Sequence, residues 1–160
     1  MAPWRDVERE APELAAAVQR VFDAHKHKTM ATLRADGSPR ISGTEVQFRD
    51  GDIWVGSMGG ARKVQDLLRD PRVALHSATV DPEMREGDAK LSGRALPVAD
   101  KEAIDGFLGD EHRDSPDYDG AHFFQVDVVE ISLVRIGDPA DHLVVESWHE
   151  GRGLQRVEVR

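Results

Sequence analysis

The sequence has no cysteine among its 160 residues. That absence excludes a disulfide framework, a thiolate nucleophile, an iron–sulfur cluster and a zinc–thiolate site. The sequence also has no apolar run near the roughly 18 residues that a membrane-spanning helix needs. The most apolar stretch, residues 126–134, is interrupted by Asp127 and Glu130. We therefore expect a protein that is not embedded in a membrane.

An excess of positive charge is missing as well. The chain has 21 Lys and Arg residues against 30 Asp and Glu residues, which gives a net charge of -9 at pH 7. Such a surface repels nucleic acid, so an anionic ligand has to be bound by a local cluster of basic groups. The first residues carry acids where a signal peptide would have a basic flank and an apolar centre. These features predict a cytoplasmic protein with no nucleic-acid partner.

The length fits a single domain over residues 1–160, with an N-terminal helix over residues 8–27 and a barrel over residues 28–160. Within the predicted helix, Leu14 and Val18 recur at helical spacing, which is typical of an amphipathic helix packed over a sheet. No repeat or linker divides the chain further.

Two Asp-Gly turns follow this helix, at Asp36-Gly37 and at Asp50-Gly51, and each is a strong hairpin signal. They separate three predicted strands and indicate an antiparallel meander over residues 29–35, 40–48 and 52–58. Further strands are predicted over residues 72–80, 89–98, 122–136, 142–148 and 154–159, and a short helix is predicted after Gly60. Gly93 suggests a bulge or a close approach within the strand over residues 89–98, and Asp100 can cap a second short helix. So many short strands favour closure, which removes unpaired edges. The predicted fold class is α+β, mainly antiparallel β, built as a small β-barrel with peripheral helices.

The most informative segment begins with Gly59 and Gly60 and continues into a helix whose first turn carries Arg62 and Lys63. Free N–H groups at a helix N-terminus, together with two cations, form an anion site suited to phosphate. The cations also oppose the helix dipole unless an anion is bound. The alternative is a solvated basic pair after glycines that only turn the chain. The segment is not a P-loop, because the required order of glycines and lysine is missing.

The strand that begins at Arg40 is the second candidate region. Alternation places Arg40, Ser42 and Thr44 on one face, while Gly43 leaves room on the other. A flat ring could lie against the backbone there. The alternative is an ordinary strand with one glycine.

The spacing of the histidine, serine and acidic residues supports neither a metal site nor a catalytic nucleophile. The seven histidines form no metal-binding motif, and His25 and His27 point to different faces of a helix. No nucleophile elbow or Ser/His/Asp arrangement is present. We predict no metal site and no catalytic side chain.

Several features, taken in order, resemble the pyridoxamine 5'-phosphate oxidase-like flavin-binding split-barrel superfamily. They are the turn from Asp36 to Arg40, the Arg62-Lys63 pair after a glycine-rich turn, and the stretch that leads into the next strand, Leu68-Arg-Asp-Pro-Arg-Val73. The segment from Trp148 to Arg156 is similar to the tryptophan- and arginine-containing tail of such proteins. The resemblance implies that the barrel is a split β-barrel.

The resemblance also implies a cofactor site. In that superfamily, the strand that matches Arg40, Ile41, Ser42 and Gly43 lies along the isoalloxazine and ribityl part of FMN. The residues that match Val55, Gly56 and Ser57 line the next strand. Arg62 and Lys63 match the pair that holds the cofactor phosphate. Trp148 matches a residue that reaches the cofactor from the partner chain, which implies a homodimer.

The tail lacks the Arg-x-His spacing with which the true oxidase holds its vitamin substrate. The resemblance therefore implies an oxidoreductase that acts on another small organic substrate. The branch of the superfamily that binds the deazaflavin coenzyme F-420 is similar too, and both cofactors carry a tricyclic ring on a ribityl phosphate chain. FMN and coenzyme F-420 both remain open, as do a non-catalytic flavin-binding or storage module and a barrel without a cofactor.

Overall fold

The computed structural model describes residues 2–160. Within them the helices are α1 (Trp4–Glu10), α2 (Pro12–Asp23), α3 (Arg62–Arg69) and α4 (Lys101–Leu108), with one 3-10 turn at Pro116–Tyr118. The strands are β1 (Lys28–Leu33), β2 (Pro39–Thr44), β3 (Val46–Arg49), β4 (Asp52–Ser57), β5 (Arg72–His76), β6 (Asp88–Val98), β7 (His122–Ile136), β8 (Leu143–His149) and β9 (Gly153–Val159). None of the helices in this part of the chain is long and apolar enough to cross a membrane.

The N-terminal helix predicted over residues 8–27 is wrong in its bounds, because the structure has two helices there. Ala11 separates them with a φ of -140°, outside the helical region, and Pro12 opens α2. Proline is favoured at a first helical position, where its missing N–H costs no hydrogen bond, and is excluded from a helix interior. The predicted amphipathic face is confirmed, since α2 buries Leu14 and Val18.

The sheet contains all nine strands, and its hydrogen-bonded path runs β2-β1-β5-β6-β7-β4-β3, with β8 and β9 added beside β7. Every named pair is antiparallel. Among the described residues the two ends of this path, β2 and β3, are not hydrogen-bonded to each other. The predicted split β-barrel with peripheral helices is confirmed.

The single strand predicted over residues 40–48 is two strands, and the simple meander is therefore wrong. β2 pairs with β1, whereas β3 pairs with β4, so the chain changes neighbours at Glu45. Each Asp-Gly turn specifies its own hairpin but not the side on which the next hairpin is added. A strand that passes from one side of a barrel to the other has to break its ladder in between.

Gly93 permits a bend in β6 opposite the part of β7 where β7 changes its other neighbour from β4 to β8. The pairing of β6 with β7 shifts register between Ser92 and Gly93, which confirms the bulge that the glycine suggested. A Cβ at residue 93 would overlap the carbonyl oxygen of Asp127. The first part of β7 pairs with β4 and the last part with β8. The core lies inside this curved sheet and under α2, and its largest members include Phe22, Met30, Ile53, Phe124 and Ile131.

Candidate functional site

A cleft of about 690 Å³ opens beside β4, between the C-terminal end of β2 and the segment that carries α4 and the 3-10 turn. Its volume lies within the range of roughly 300 to 1,000 Å³ that is typical of small-molecule sites. The residues that line it include Gly43, Thr44, Glu45, Gln47, Arg49, Trp54, Gly56, Ser57, Met58, Ala61, Lys63, Phe107, Leu108, His112, Asp117, Tyr118 and Phe123.

One end of the cleft is basic. Arg62 and Lys63, together called the basic end below, stand in the first turn of α3, and no acidic residue shares that turn. Ala61, at the N-cap, offers no side chain to the free N–H groups. Among the described residues the exposed side chain of Arg62 makes no ion pair or hydrogen bond. Two cations and uncapped N–H groups therefore share one helical turn, which favours an anion there.

Lys63 is the member of the basic end that lines the cleft itself. Its Nζ donates a hydrogen bond of 2.6 Å to the carbonyl oxygen of Gly43, which ties α3 to the end of β2. Partial burial lowers the pKa of this amine, because a charge is less stable away from water. A bound anion would offset that penalty.

Two glycines line the cleft, and they differ in the space beside them. A Cβ built on Gly56 would lie 3.3 Å from the ring of Phe123, so the ring packs directly against this part of β4. A Cβ on Gly43 would meet nothing within 4 Å, which means that the space above this residue is open. Ser57 follows Gly56 and adds a hydroxyl to the lining. A flat group can therefore approach the backbone at residue 43.

The opposite side of the cleft is an aromatic wall formed by Trp54, Phe107, Tyr118 and Phe123. The rings of Trp54 and Phe107 are stacked, with centroids 4.5 Å apart and planes 9° apart. Phe107 meets Phe123 edge to face at 5.8 Å, and Tyr118 lies 6.2 Å from Phe123. Such contacts stabilise a ring cluster beyond the area that it buries.

A separate polar cluster lies on the inner face of α3 and is centred on Asp66. This carboxylate accepts hydrogen bonds from Arg40 at 2.6 Å, Thr32 at 2.8 Å and Arg69 at 3.0 Å. Its side chain is only 4% exposed. The hydrogen bond from Arg40 contributes most to lowering the pKa of Asp66 to about 2. Asp66, Thr32, Arg40 and Arg69 are called the Asp66 cluster below.

The structure brings only part of the predicted site together. Gly43, Gly56, Ser57 and Lys63 line the cleft, and Arg62 stands beside it. The guanidinium of Arg40 is bound to Asp66 and does not line the cleft.

Three more predicted residues of the strands lie away from the cleft. Ile41 is exposed on another face, where it lines a second concave surface. The hydroxyl oxygen of Ser42 is buried without a hydrogen-bond partner among the described residues, and the side chain of Val55 lies in the core.

Trp148 requires a correction. Its side chain is packed in the core of its own chain, 1% exposed, and its indole N–H donates to Glu10 at 3.0 Å. A buried indole has no surface to offer to another molecule. The structure therefore contradicts the role of this residue at a partner's cofactor.

The aromatic wall is the part of the site that sequence reasoning missed. One signal was available, because the two-residue period of a strand puts Trp54 on the same face as Gly56. The contribution of Phe107 and Tyr118 could not be read from spacing, since they come from a segment far along the chain. Among residues 2–160 no group of three or more His, Asp or Glu side chains could hold a metal ion.

Known protein structures share this architecture. PhzG from Burkholderia lata 383, solved with tetrahydrophenazine-1-carboxylic acid, aligns with a TM-score of 0.69 at 10% identity, over 100% of this chain and 97% of that one. A Clostridium acetobutylicum protein related to general stress protein 26, of the pyridoxinephosphate oxidase family, aligns with a TM-score of 0.58 at 17% identity, over 82% and 89%. An F-420 reductase aligns with a TM-score of 0.54 at 16% identity, over 71% and 94%. At these identities the likeness shows the fold.

Comparison of the sequence with family models identifies the family. No curated protein sequence matches the chain. The family model described as pyridoxamine 5'-phosphate oxidase matches residues 14–135, from α2 to the end of β7, which is well over half of the chain. The chain belongs to the pyridoxamine 5'-phosphate oxidase family.

Proposed function

We propose that this protein is an oxidoreductase that binds FMN, or the deazaflavin coenzyme F-420, in the cleft and transfers hydride to or from a small organic substrate. One observation carries the proposal: the basic end, with no acid in its helical turn, adjoins a cleft that Lys63 lines and that is open above Gly43. The family is named for an oxidase, and an F-420 reductase shares the fold. The substrate is proposed to differ from pyridoxamine phosphate, because the tail lacks the expected Arg-x-His spacing.

The residues of the cleft fit either cofactor. Arg62 and Lys63 would hold the phosphate that both cofactors carry, through charge-assisted hydrogen bonds. The open space above Gly43 leaves room for a flat ring against the backbone of β2. When bound, the flavin or deazaflavin ring supplies the hydride chemistry. The chain supplies the phosphate contacts, the orientation of the ring and the exclusion of water, and it needs no side chain as acid or base.

The proposal includes a homodimer. Ile41 is 74% exposed on the outer face of β2, beside a second concave surface of about 580 Å³ on the outer face of the sheet. Apolar residues such as Ala31 and Ala74 also line that surface. Exposed apolar area of this kind favours association between identical chains. A sedimentation mass equal to that of one chain at micromolar concentration would count against the dimer.

The absorbance spectrum of freshly purified protein is the first test, because bound flavin makes the protein yellow. Titrations of the cofactor-free protein with FMN, coenzyme F-420 and riboflavin then test the site. FMN should bind at least about tenfold more tightly than riboflavin, since riboflavin lacks the phosphate that the basic end holds. Equal affinities would contradict the proposed phosphate site.

A turnover assay distinguishes an oxidoreductase from a non-catalytic flavin-binding module. Reduction of the bound cofactor, followed by its reoxidation by an added substrate, supports the oxidoreductase. Tight binding with no turnover by any donor or acceptor supports a non-catalytic flavin-binding module.

A further inference from the structure

We infer that the aromatic wall is the substrate side of the cleft and that it selects a flat aromatic ring. This inference rests on the proposed function, and it adds the chemical class of the substrate. It begins from the composition of the wall, because four aromatic side chains from four separate elements of the chain converge on one side of one cleft.

The four rings are unequally buried, and this sets their roles. Trp54 is 6% exposed and Phe123 is 5% exposed, so these two rings form the back of the wall. Phe107 is half-buried and Tyr118 is 37% exposed, so these two present free ring surface to the cleft. The exposed pair flanks Phe123, which contacts both of them. A ligand ring can pack on an aromatic surface that is already held in place.

The exposed rings lie on a segment that is held by few contacts. No residue of α4 is fully buried. Its N-terminus is capped by Asp100, and at its C-terminus Arg49 of β3 donates a 2.6 Å hydrogen bond to the carbonyl oxygen of Phe107. A cation at that end of a helix is favourable for the dipole. Arg49 therefore fixes Phe107 against Trp54 with an interaction that does not depend on a packed core.

The position of the wall suits a substrate rather than the cofactor phosphate. It includes none of the residues of the basic end, and Lys63 of that end lines the same cleft as the wall. A cofactor held at Lys63 and Gly43 would leave the wall free for a second molecule. Ring-on-ring contact rewards a planar partner, because stacked or edge-to-face geometry adds to simple burial.

Binding can be followed at Trp54 by nuclear magnetic resonance of protein carrying nitrogen-15. The chain has three tryptophans, so three indole N–H signals are expected, and Trp54→Phe identifies the one that belongs to the wall. Trp4 and Trp148 are internal references, because both are 1% exposed and their indole N–H groups donate to Gln19 and Glu10. The probe is β-naphthol, a flat bicyclic ring, and its saturated counterpart decahydro-β-naphthol is the matched non-planar control.

We expect β-naphthol to shift the Trp54 signal saturably and to leave the other two in place. The saturated counterpart should bind at least about fivefold more weakly, because it has no ring face. Phe107→Leu keeps apolar bulk without a ring and should weaken β-naphthol about three- to tenfold. Val157→Ala, on the exposed strand β9, is the control and should change nothing. An unmoved Trp54 signal, or equal affinity for the two probes, would overturn the inference.

An FMN titration of Phe107→Leu separates the two proposals. Unchanged FMN affinity, with weakened β-naphthol, supports a substrate wall distinct from the cofactor site. An equal loss of FMN affinity would assign the wall to the cofactor ring and overturn the inference while the proposed function stands. If the unaltered protein binds neither FMN nor coenzyme F-420, the proposed function fails and the substrate role fails with it.

Discussion

Helix α3 carries two charged groups of residues with opposite characters. On its inner face, the Asp66 cluster pairs a buried carboxylate with two guanidinium groups and a hydroxyl. At its N-terminus, Arg62 and Lys63 have no acid in their own helical turn and no cap. Arg40 was predicted to contact the cofactor and instead completes the Asp66 cluster. Basic residues alone therefore do not mark a ligand site, and the informative feature is whether the protein already supplies their counter-charge.

The largest effect should come from removing the counter-charge of the Asp66 cluster. Asp66→Ala leaves the guanidinium of Arg40, 19% exposed, without its carboxylate. Breaking a buried pair in this way costs about 3 to 5 kcal/mol, because one charge stays desolvated. We expect a loss of about 3 kcal/mol in the free energy of unfolding, measured in urea.

Asp70→Ala is the matched control for that experiment. Asp70 also bonds to an arginine, Arg72, and its pKa is likewise lowered to about 2, but the pair lies at the surface. Surface pairs contribute little to stability. An equally small change for Asp66→Ala would mean that the Asp66 cluster does not stabilise the fold.

The basic end should show the reverse behaviour, with a large effect on ligand and a small effect on folding. Each charge-assisted bond contributes about 1.5 to 3 kcal/mol, so Arg62→Ala and Lys63→Ala should each weaken FMN by roughly ten- to a hundredfold. The same holds for coenzyme F-420 if that is the cofactor. Calorimetric titration measures the affinity, and urea unfolding measures the stability.

Two controls sharpen this test. Arg72→Ala removes a cation that Asp70 already neutralises, so FMN affinity should not change. Riboflavin binding should be the same in the double variant and in the unaltered protein, because riboflavin has no phosphate. Unchanged FMN affinity in the double variant would show that the phosphate site is misplaced.

The Asp66 cluster should also make stability depend on pH below 4. The folded pKa of Asp66, about 2, lies below the ordinary 3.8. A depressed pKa stabilises the folded state above the unfolded pKa, and this stability is lost as pH falls through the folded value. The loss should be roughly 2 kcal/mol between about pH 4 and pH 2.

The difference in free energy of unfolding between the unaltered protein and Asp66→Asn, measured at each pH, isolates the contribution of Asp66. The other aspartates titrate in both proteins, so their effects cancel. The free energy of unfolding of the variant should fall less steeply over that interval. Parallel curves for the two proteins would mean that the carboxylate is not ionised at low pH in the folded state.

Local sequence signals predicted the elements of the fold better than their partners. The capping Asp100, the strand over residues 122–136 and the bulge at Gly93 follow from side-chain chemistry and backbone freedom, and the structure confirms them. The break at Glu45 did not follow, because no proline or turn pair marks it in the sequence. Which neighbours β2 and β3 take depends on closure of the whole sheet, and no short window contains that information.

The two parts of the candidate site also differ in how well the sequence predicts them. The basic end was predictable because glycines, a helix start and two cations are adjacent in the sequence. The aromatic wall was not, since Trp54 and Phe107 meet only after α4 folds across β4. The likeness of the tail to that of the family suggested an outward-facing Trp148, whereas packing against the core and the bond to Glu10 hold it inside.

The smallest expected effect concerns Gly43, which belongs to the cleft and not to the core. A Cβ at this position would meet nothing within 4 Å, so Gly43→Val should fold as before, and β-branched residues suit a strand. The added methyl groups would occupy the open space that we propose for the cofactor ring. We expect cofactor affinity to fall by at least about tenfold, equivalent to roughly 1.4 kcal/mol. Circular dichroism and sedimentation should match those of the unaltered protein. Gly43→Ala, which adds only a Cβ, should lose less. Full affinity in the valine variant would move the ring away from β2 and leave the phosphate contacts of Arg62 and Lys63 unaffected, because Lys63 bonds to the carbonyl oxygen of residue 43 and not to its side chain.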